Sequence, residues 1–538
     1  MSVVQIDVAL FRRMVINGAI NLKNHHAEVD GFNVFPVPDG DTGTNMSMTV
    51  TSGIREIENC ESSSIIDNAK VLSRGALMGA RGNSGVILSQ FFRGLYVGLK
   101  DIQHNYLDVN DFMNCLNSGC KVAYKAVMEP VEGTVLTVVR VSAEETQAHL
   151  NEFKNIDEIL EFYYNSAMRT LDKTPDMLPV LKEAGVVDSG GAGFCRFVEG
   201  MLLAVKGQIL EVQDATKQEK QKEQKKELKY FYNTELVFDL KKPESFEIKE
   251  LIAALSLLGE GVKVEKKDNQ IFVFVSTDRP GRVIEICQKN GEFVTFKIEN
   301  TKITPEVQKK TEEKKEEPKQ PFALISVCFG EGIVNTFKEM GVDYVIEGGQ
   351  TMNPSTESFV EAIKAVNAEN VIIIPNNGNV VMAAKQAASL VSGSNVEVLP
   401  AKTIAQGFAS LVNYNPEGSL EENVSAMTEQ IEHVKTGELT YSIRDTEIKG
   451  VKISSGDFMG IADGEIVVST KDKCDCLKSL IEHIVDDESE LVTVFVGNEV
   501  SEEEASKVSD YILSINDAID VEIIEGKQDI YSYIVSVE

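Results

Sequence analysis

Helical periodicity dominates the first two fifths of the chain. The stretch VALFRRMVINGAINL places Leu10, Phe11 and Met14 on one helical face, and GVILSQFFRGLYVGL repeats this spacing around Leu88. Similar periods recur over residues 110–127, 133–148, 156–171 and 191–205. None of these stretches alternates with the period of two that marks a strand. Residues 1–211 are therefore predicted to form an all-α bundle of about eight helices.

Two charged stretches interrupt the apolar pattern. Residues 212–229, VQDATKQEKQKEQKKELK, and residues 302–320, KITPEVQKKTEEKKEEPKQ, interleave Lys, Glu and Gln with few apolar residues. Such segments bury too little apolar surface to offset the entropy lost on ordering, so they are predicted to be linkers or exposed helices. They divide the chain into three domains, 1–211, 230–301 and 321–538.

The two later domains mix strands and helices. In residues 230–301, YFYNTELVFDL and NQIFVFVST are typical of strands and IKELIAALSLLG of a helix, which predicts a small α+β domain. In residues 321–538, short apolar strands such as FALISVCF and NVIIIPNN lead into polar loops and then mostly into helices. This rhythm predicts an α/β domain with a parallel, doubly wound sheet, followed by a second α/β portion near the C-terminus.

Charge narrows the range of partners. The 538 residues include 53 basic and 84 acidic side chains, giving a net charge of −31. A field of this sign repels nucleic acid, and a nucleotide would need metal cations to offset its own charge. No apolar run approaches the ~20 residues of a membrane span, the N-terminus lacks the features of a secretory leader, and the eight scattered cysteines fit reduced thiols. We expect a cytoplasmic protein without a transmembrane segment.

The stretch NVFPVPDGDTGTNM, residues 33–46, places Asp39 and Asp41 in a turn that contains no lysine or arginine. It fits neither a calcium-binding EF-hand, which requires other residues at its fifth and sixth positions, nor a P-loop. Carboxylate and amide oxygens suit Mg²⁺, which takes its remaining ligands from water and phosphate. Asp39, Asp41 and Asn33 are therefore predicted to bind a magnesium nucleotide. The alternative is a solvated turn whose aspartates cap the following helix.

A second stretch, RGALMGARGNSGVILSQ at residues 74–90, runs from small residues into an amphipathic helix. Free backbone N–H groups and the positive end of a helix dipole suit phosphate at such a junction. Gly82 and Gly85 would permit close approach, while Asn83 and Ser84 would add hydrogen bonds; the alternative is tight helix packing through glycine. Two more glycine-bearing junctions, PVEGTVLTVV and VVDSGGAGF, also precede predicted helices.

These motifs, in this order, resemble the nucleotide-binding subunit of dihydroxyacetone kinase, and the whole chain resembles the ATP-binding subunit of bacterial fatty acid kinase. The resemblance is carried in the first domain by DGDTGTNM, GARGNSG, EGTVLTVV and DSGGAG, and in the third by EGGQTMNPSTE and IIPNN. NPEGSLEENVSAM, VKTGELTYSIRDTEI and the closing YIVSVE extend it over essentially all 538 residues.

The resemblance implies an eight-helix bundle that binds ATP through Mg²⁺ at one end. Asp39 and Asp41 would be metal ligands, with Asn33 where dihydroxyacetone kinases have a third aspartate. The residues implied around the phosphates, ribose and base are Thr42, Gly43, Thr44, Asn45, Asn83, Ser84, Thr134 and Asp188. A separate carrier protein would bind the fatty acid, whose carboxylate the kinase phosphorylates to an acyl phosphate, and the third domain would dock that carrier.

Phosphoryl transfer to a carboxylate requires mainly that the protein position the reactants. A fatty carboxylate is already ionised and needs no general base, so transfer rests on alignment and on the metal's charge. Asp39, Asp41 and Arg81 are the predicted catalytic residues, with Arg81 adding positive charge in the transition state. A surface ion pair is the alternative interpretation of Arg81.

Two features depart from the relatives. Where family members often carry a cysteine and an H-x-H pair in the middle domain, this chain has Asn233, Phe274 and Ser276, so no zinc is expected there. The loops after the strands of the third domain, including residues 348–356 and 375–379, contain no histidine for covalent capture of a keto substrate. They are interpreted as a carrier-docking or vestigial surface, or as loops shaped only for sheet packing.

Two rival functions stay open. One is a self-contained kinase of a small hydroxyl or keto compound, and the other is a nucleotide-binding scaffold without turnover. A homodimer is a further expectation, from linker charge and from the resemblance.

Overall fold

The chain forms two compact units in the computed structural model, one comprising Met1–Gln213 with Lys319–Glu538 and the other Asp214–Pro318. The structure describes residues 2–34, 39–100, 102–212, 232–241, 243, 246, 248–256, 258–267, 269–300, 319–349, 353–442, 446–448 and 450–538. Almost all of the two predicted linkers, 212–229 and 302–320, lies outside the described residues. The division into three domains at those linkers stays a prediction.

The N-terminal part of the first unit is helical throughout. Its described residues include eight helices of 14 or more residues, which confirms the predicted bundle. They are α1 Val8–Asn24, α3 Thr42–Glu58, α4 Ile65–Met78, α5 Gly82–Leu99, α6 Val109–Lys125, α7 Val135–Ala148, α8 Ile156–Leu171 and α11 Ser189–Val205. The shorter helices are α2 His26–Gly31, α9 Thr174–Met177 and α10 Pro179–Ala184.

Apolar stripes of these helices meet in one core. Phe91 and Phe92 of α5 pack edge-on against Phe194 and Phe197 of α11, with ring centroids 5.1 and 5.2 Å apart. Edge-to-face aromatic pairs add about 0.5–1.5 kcal/mol to the burial of their surfaces. Helices α5 and α11, whose first turns carry two of the glycine-bearing motifs, are thereby fixed against each other.

The C-terminal part of the first unit confirms the predicted α/β class. Strands β5, β6, β7 and β8 form a wholly parallel sheet in the order β6-β5-β7-β8. Their bounds are β5 Gln320–Cys328, β6 Tyr344–Glu347, β7 Ala368–Ile374 and β8 Asn395–Val398, and the helices that follow are α14 Glu331–Glu339, α15 Thr356–Val366, α16 Val381–Leu390, α17 Ile404–Val412 and α18 Leu420–His433. The loops at the carboxyl ends of β6 and β7 are the ones that lead to the site below.

A second, mixed sheet of six strands follows in the order β13-β12-β9-β16-β14-β15. The elements are β9 Lys435–Tyr441, β10 Thr446–Ile448, β11 Val451–Ile453, β12 Phe458–Ala462, β13 Glu465–Thr470, α19 Lys473–Ile484, β14 Leu491–Val496, α20 Glu502–Ile515, β15 Asp520–Glu525 and β16 Tyr533–Val537. Strands β14 to β16 match the predicted second α/β portion, whereas β9, β12 and β13 were not predicted from the pattern.

The second unit is the small α+β domain expected from its pattern. Its antiparallel sheet has the order β2-β3-β1-β4, and its elements are β1 Tyr232–Leu240, α12 Ile248–Ser256, β2 Gly259–Lys267, β3 Gln270–Thr277, α13 Pro280–Asn290 and β4 Gly291–Asn300. Asn233 lies opposite Ser276 across β1 and β3, and the Ser276 hydroxyl donates to Asn233 Oδ1 at 2.8 Å. These two positions, at which the resemblance implies metal ligands in family members, therefore bond to each other; the absence of zinc stays a prediction.

Candidate functional site

The first turns of α3, α5 and α11 lie against one another at one end of the bundle. At Gly82, whose φ is +60°, a methyl group would lie 2.6 Å from Asn45 Nδ2 in α3. At Gly193 in α11 it would lie 2.7 Å from Met46 Sδ in α3. Side chains larger than hydrogen would separate these helix starts, so the glycines bring three positive dipole ends together.

The N-terminus of α7 joins this group through Asp188. The buried Asp188 carboxylate caps α11 by accepting from Gly191 N at 2.6 Å, and it also accepts from the backbone N–H of Val135. Burial raises the pKa of Asp188 from 3.8 to about 7, although both N–H groups oppose the shift. Thr134, the N-cap residue of α7, donates its hydroxyl to Val131 O at 2.8 Å. The four glycine-bearing motifs therefore meet at one site, where Asp188 ties two of them together.

The N-terminus of α3 is capped from α2 and its following loop. Asn33 Oδ1 accepts from the Thr42 hydroxyl at 2.7 Å and from the backbone N–H groups of Thr42 and Asp41 at 3.2 and 3.3 Å. Asp30 accepts from the N–H and hydroxyl of Thr44 at 2.9 and 2.7 Å. Asp41 is the N-cap residue, yet its side chain makes no capping bond. The Asp41 carboxyl group instead contacts the side chains of Asp39 and Asn45. Three donors already surround Asn33 Oδ1, and the part of Asn33 as a metal ligand stays a prediction.

Asp39 and Asp41 form a partly desolvated pair of like charges. Burial, with the Asp41 carboxylate beside it, raises the pKa of Asp39 to about 8. Burial likewise raises the pKa of Asp41, with the Asp30 carboxylate as a lesser cause. Two adjacent carboxylates cannot both be charged at low cost without a cation or a shared proton. The pair is thus poised to bind a cation.

The donor set at the pair fits Mg²⁺. Oδ1 of Asp39 is buried and has no hydrogen-bond partner among the described residues, so this oxygen is available to a cation. No third His, Cys, Asp or Glu in the described part of the chain completes a cluster with the two aspartates. Mg²⁺ commonly takes one or two carboxylates and completes its shell with water and phosphate, so two are sufficient.

Arg81, at the start of α5, lies beside the loop that carries Asn353. The guanidinium of Arg81 is half-buried, which lowers its pKa, and it donates to the backbone oxygen of Asn353 at 2.6 Å. No ion pair to Arg81 occurs among the described residues. Ser84 lies half-buried in the same turn. A methyl group at Gly85 would lie 2.4 Å from Thr49 Oγ1, so this glycine also has the packing role that the sequence left open.

Two asparagines of the α/β part reach the carboxylates, and neither was predicted from the sequence. Asn353 Nδ2 donates to Asp41 Oδ2 at 2.5 Å, and Asn379 Nδ2 donates to Asp39 Oδ2. Both lie in loops that follow parallel strands, the usual place for ligand-binding residues in such sheets. The two loops are distinctive in sequence, but nothing in their composition indicates that they face the helical motifs. Asp30 was missed as well, because a lone aspartate at a helix end gives no pattern.

A groove of about 750 Å³ borders the site between α5, the end of α6 and α16. Asn83 lies at its edge and donates to Asn379 Oδ1 at 3.2 Å. The walls combine aliphatic side chains with cations and contain no aspartate or glutamate. The lining cations are Arg93, Lys125, Lys385 and Lys402, none of which forms an ion pair within the described residues. In a chain of charge −31 this groove is a local basic surface.

The described helices include none with the length and apolar character needed to cross a bilayer. Three family models match successive parts of the chain. The DAK2 domain matches residues 36–203, the middle domain of the fatty acid kinase FakA-like family residues 229–306, and the C-terminal domain of that family residues 323–538.

Known proteins resemble the chain to different degrees. The protein YloV of Bacillus subtilis is 40% identical over 556 residues, covering 100% of both chains. The fatty acid kinase B3 protein of Streptococcus pneumoniae, loaded with linoleic acid, covers 41% of this chain and 99% of its own at 11% identity and a TM-score of 0.30. The dihydroxyacetone kinase of C. freundii in complex with AMP-PNP and Mg²⁺ covers 40% of this chain and 48% of its own, at 17% identity and a TM-score of 0.30. The two structural likenesses are too low to carry an argument, but the full-length identity and the three matched domains establish that the chain belongs to the fatty acid kinase FakA-like family.

Proposed function

We propose that this chain is the ATP-binding catalytic subunit of a fatty acid kinase. It would transfer the γ-phosphoryl group of ATP to a fatty acid carboxylate presented by a separate carrier protein, giving acyl phosphate and ADP. The observation that carries the proposal is the pair Asp39 and Asp41, half-buried where four helix N-termini meet in a chain of this family. Phosphate and Mg²⁺ suit such a place because N–H groups and dipole ends face the anion while carboxylates face the cation.

Each residue of the site has a role in this reaction. Asp39 and Asp41 would hold Mg²⁺, which when bound offsets the charge of the phosphates and of the transferring group. The first turns of α3 and α5, comprising residues 42–45 and 82–85, would supply N–H groups to the phosphates, and Arg81 would add positive charge at their edge. Thr134 and Asp188 would hold the ends of α7 and α11 beside the nucleotide.

The acceptor needs orientation more than activation. A fatty acid carboxyl group with an ordinary pKa near ~4.5 is ionised at pH 7, so the protein need not remove a proton from it. An anionic carboxylate close to ATP experiences repulsion, which nearby cations reduce. The groove bordered by Asn83 offers four such cations beside aliphatic walls. We propose that the loaded carrier presents its carboxylate along this groove, which would give the α/β part its docking role.

The test is ATP consumption by the purified chain with Mg²⁺ and a fatty acid, with and without a candidate carrier from the same organism. We expect turnover only when carrier and fatty acid are both present. Asp41→Ala should lower it by at least about 100-fold, because several kcal/mol of charge stabilisation depend on the metal and each 1.36 kcal/mol is tenfold in rate. Asp510→Ala, which removes an exposed aspartate of α20, is the matched control and should turn over normally.

Two other outcomes would replace the proposal. Turnover without carrier on a small hydroxyl or keto compound would identify a self-contained kinase. Nucleotide binding without turnover on any substrate would identify a scaffold. A homodimer stays a prediction, to be checked by the mass of the chain in solution.

A further inference from the structure

The loops after β6 and β7 each place one amide on one carboxylate of the aspartate pair. Asn353 donates Nδ2 to Asp41 Oδ2 at 2.5 Å, and Asn379 donates Nδ2 to Asp39 Oδ2. Both asparagines are buried, with 1% and 6% of their surfaces exposed. A buried side chain that donates to a carboxylate fixes the orientation of that carboxylate, because the bond has no competition from water.

Three buried oxygens around these bonds are acceptors without donors. Oδ1 of Asp39, Oδ1 of Asn353 and Oδ1 of Asn83 are buried and lack a hydrogen-bond partner among the described residues. They belong to one network. Asn83 donates to Asn379, which donates to Asp39. Asn353 donates to Asp41, whose carboxyl group is hydrogen-bonded to that of Asp39. Orphaned buried acceptors are costly unless a cation or a donor meets them. The arrangement therefore points to a cation ligated by the oxygens that the amides leave free.

The two loops are held in place from both sides. Arg81 donates to the backbone oxygen of Asn353 at 2.6 Å, and Thr356 N donates to Ala80 O at 3.1 Å. Asn377 Oδ1 accepts from the backbone N–H of Asn379 at 2.7 Å, which closes the loop after β7.

Deeper in the same contact, apolar packing joins the helical and α/β parts. Ala80 and Val86 share an apolar cluster with residues of the parallel sheet and of α15 and α16. Gln90 Nε2 donates to Gln386 Oε1 at 2.9 Å, and both side chains are buried. A contact with a shared apolar core and paired buried amides resembles a domain interior more than a surface that separates easily. These loops are thus built as a standing part of the site.

We propose that Asn353 and Asn379 are positioning residues of the metal site, so that the α/β part completes the phosphoryl-transfer centre of the helical part. Each amide holds Oδ2 of one aspartate and so fixes that carboxyl group, which at Asp39 leaves the unpartnered Oδ1 for the cation. The inference rests on the proposed function only in taking the ligand to be a divalent cation. Hydrogen-bonding partners that orient metal ligands typically contribute about 10–100-fold to metal affinity.

The test is Mn²⁺ binding to the full-length chain, followed by the electron paramagnetic resonance signal of the free ion in the absence of nucleotide and fatty acid. We expect Asn353→Ala and Asn379→Ala each to raise the Kd for Mn²⁺ by about 10-fold or more. Asn353→Leu and Asn379→Leu keep most of the side-chain volume but lack the amide, so they should weaken binding as the alanine variants do. Asn395→Ala, on the exposed edge of the parallel sheet, is the matched control and should bind as the unaltered chain does.

The outcomes separate this inference from the proposed function. Unchanged or tighter Mn²⁺ binding in the alanine variants would overturn the positioning role of the asparagines. Recovery of Mn²⁺ affinity in the leucine variants would overturn it as well, because it would show that the two side chains contribute only packing. Thermal unfolding of each variant identifies any that fail to fold, and the leucine variants then decide the question. Failure of the unaltered chain to bind Mn²⁺ would overturn the metal site itself. Normal Mn²⁺ binding without fatty acid kinase activity would overturn only the proposed reaction.

Discussion

At the scale of single residues, the main electrostatic feature of the site is the pair of adjacent carboxyl groups of Asp39 and Asp41. Asp39 and Asp41 are held next to each other without a lysine or arginine partner, and burial raises the pKa of both. A protein that keeps two such carboxylates gives up stability in the metal-free state and recovers it when a cation binds.

Asp39→Asn tests whether the charged pair lowers the stability of the metal-free chain. The substitution removes one charge and keeps the oxygen that accepts from Asn379, so the metal-free chain should become more stable by about 1–2 kcal/mol near pH 8. The raised pKa of Asp39 means that its cost is absent below pH ~4 and grows as the pH rises toward about 8. The gain measured from thermal unfolding should therefore be larger at pH 8 than at pH 5. Equal gains at both values would contradict a raised pKa.

Two substitutions of Asp188 distinguish the contribution of helix capping to stability from the contribution of the carboxylate charge. Because Asp188 accepts from Gly191 and Val135, Asp188→Ala should lower stability by about 1–2 kcal/mol, whereas Asp188→Asn keeps an accepting oxygen and should cost less. The folded pKa of about 7 lies above the ordinary 3.8, so the folded state binds more protons and stability falls as pH rises between them. Thermal unfolding from pH 4 to 8 should show a weaker decline in the asparagine variant. An identical decline would show that another group titrates.

At the scale of elements, the glycine-bearing motifs do two things at once. They start helices whose free N–H groups can face an anion, and they let those helices approach closely. Gly82 has a positive φ and adjoins Asn45, while Gly85 adjoins Thr49. The packing alternative and the phosphate interpretation are thus not exclusive at this junction.

Gly85→Ala and its combination with Thr49→Ala measure the packing role. The new methyl group would lie 2.4 Å from Thr49 Oγ1, so α5 must shift and stability should fall by about 1–3 kcal/mol. Removing that hydroxyl group in the double variant should restore most of the loss relative to Thr49→Ala alone. Thermal unfolding of all three variants gives the comparison. Absence of any recovery would indicate that the backbone, and not the contact with Thr49, limits this position.

At the scale of the whole molecule, the acidic chain carries a basic groove beside its acidic pair. Lys385 and Lys402 line that groove, are exposed and form no ion pair among the described residues, which suits an incoming anion. Long-range attraction of this kind acts mainly on association and weakens with salt.

Lys385→Glu with Lys402→Glu tests the groove. We expect the KM for the loaded carrier to rise by about 10-fold at low salt, with a smaller effect at high salt, because attraction becomes repulsion. Nucleotide affinity should change little. Lys364→Glu, an exposed lysine of α15 outside the groove, supplies the control for one added charge reversal. Equal effects on carrier and nucleotide would argue against a docking role.

The sequence by itself determined the secondary-structure class of each domain and which residues make up its main motifs. Helical and strand periods are written in neighbouring residues, so the eight long helices, the parallel strands β5 to β8 and most of the small antiparallel sheet follow from local pattern. The resemblance located Asp39, Asp41 and the glycine-bearing turns because those residues are contiguous in the chain.

The tertiary structure alone decided how the motifs combine. Asn353 and Asn379 meet Asp41 and Asp39 across 312 and 340 residues, and a loop of asparagine, glycine and proline has the same composition whether it faces solvent or a metal site. The same holds for Asp30, which accepts from the N–H and hydroxyl of Thr44 in the first turn of α3, whereas the Asp41 side chain makes no capping bond. Local pattern encodes which turn forms and which face is apolar, but contacts between distant segments depend on how whole faces pack, and no short stretch carries that information.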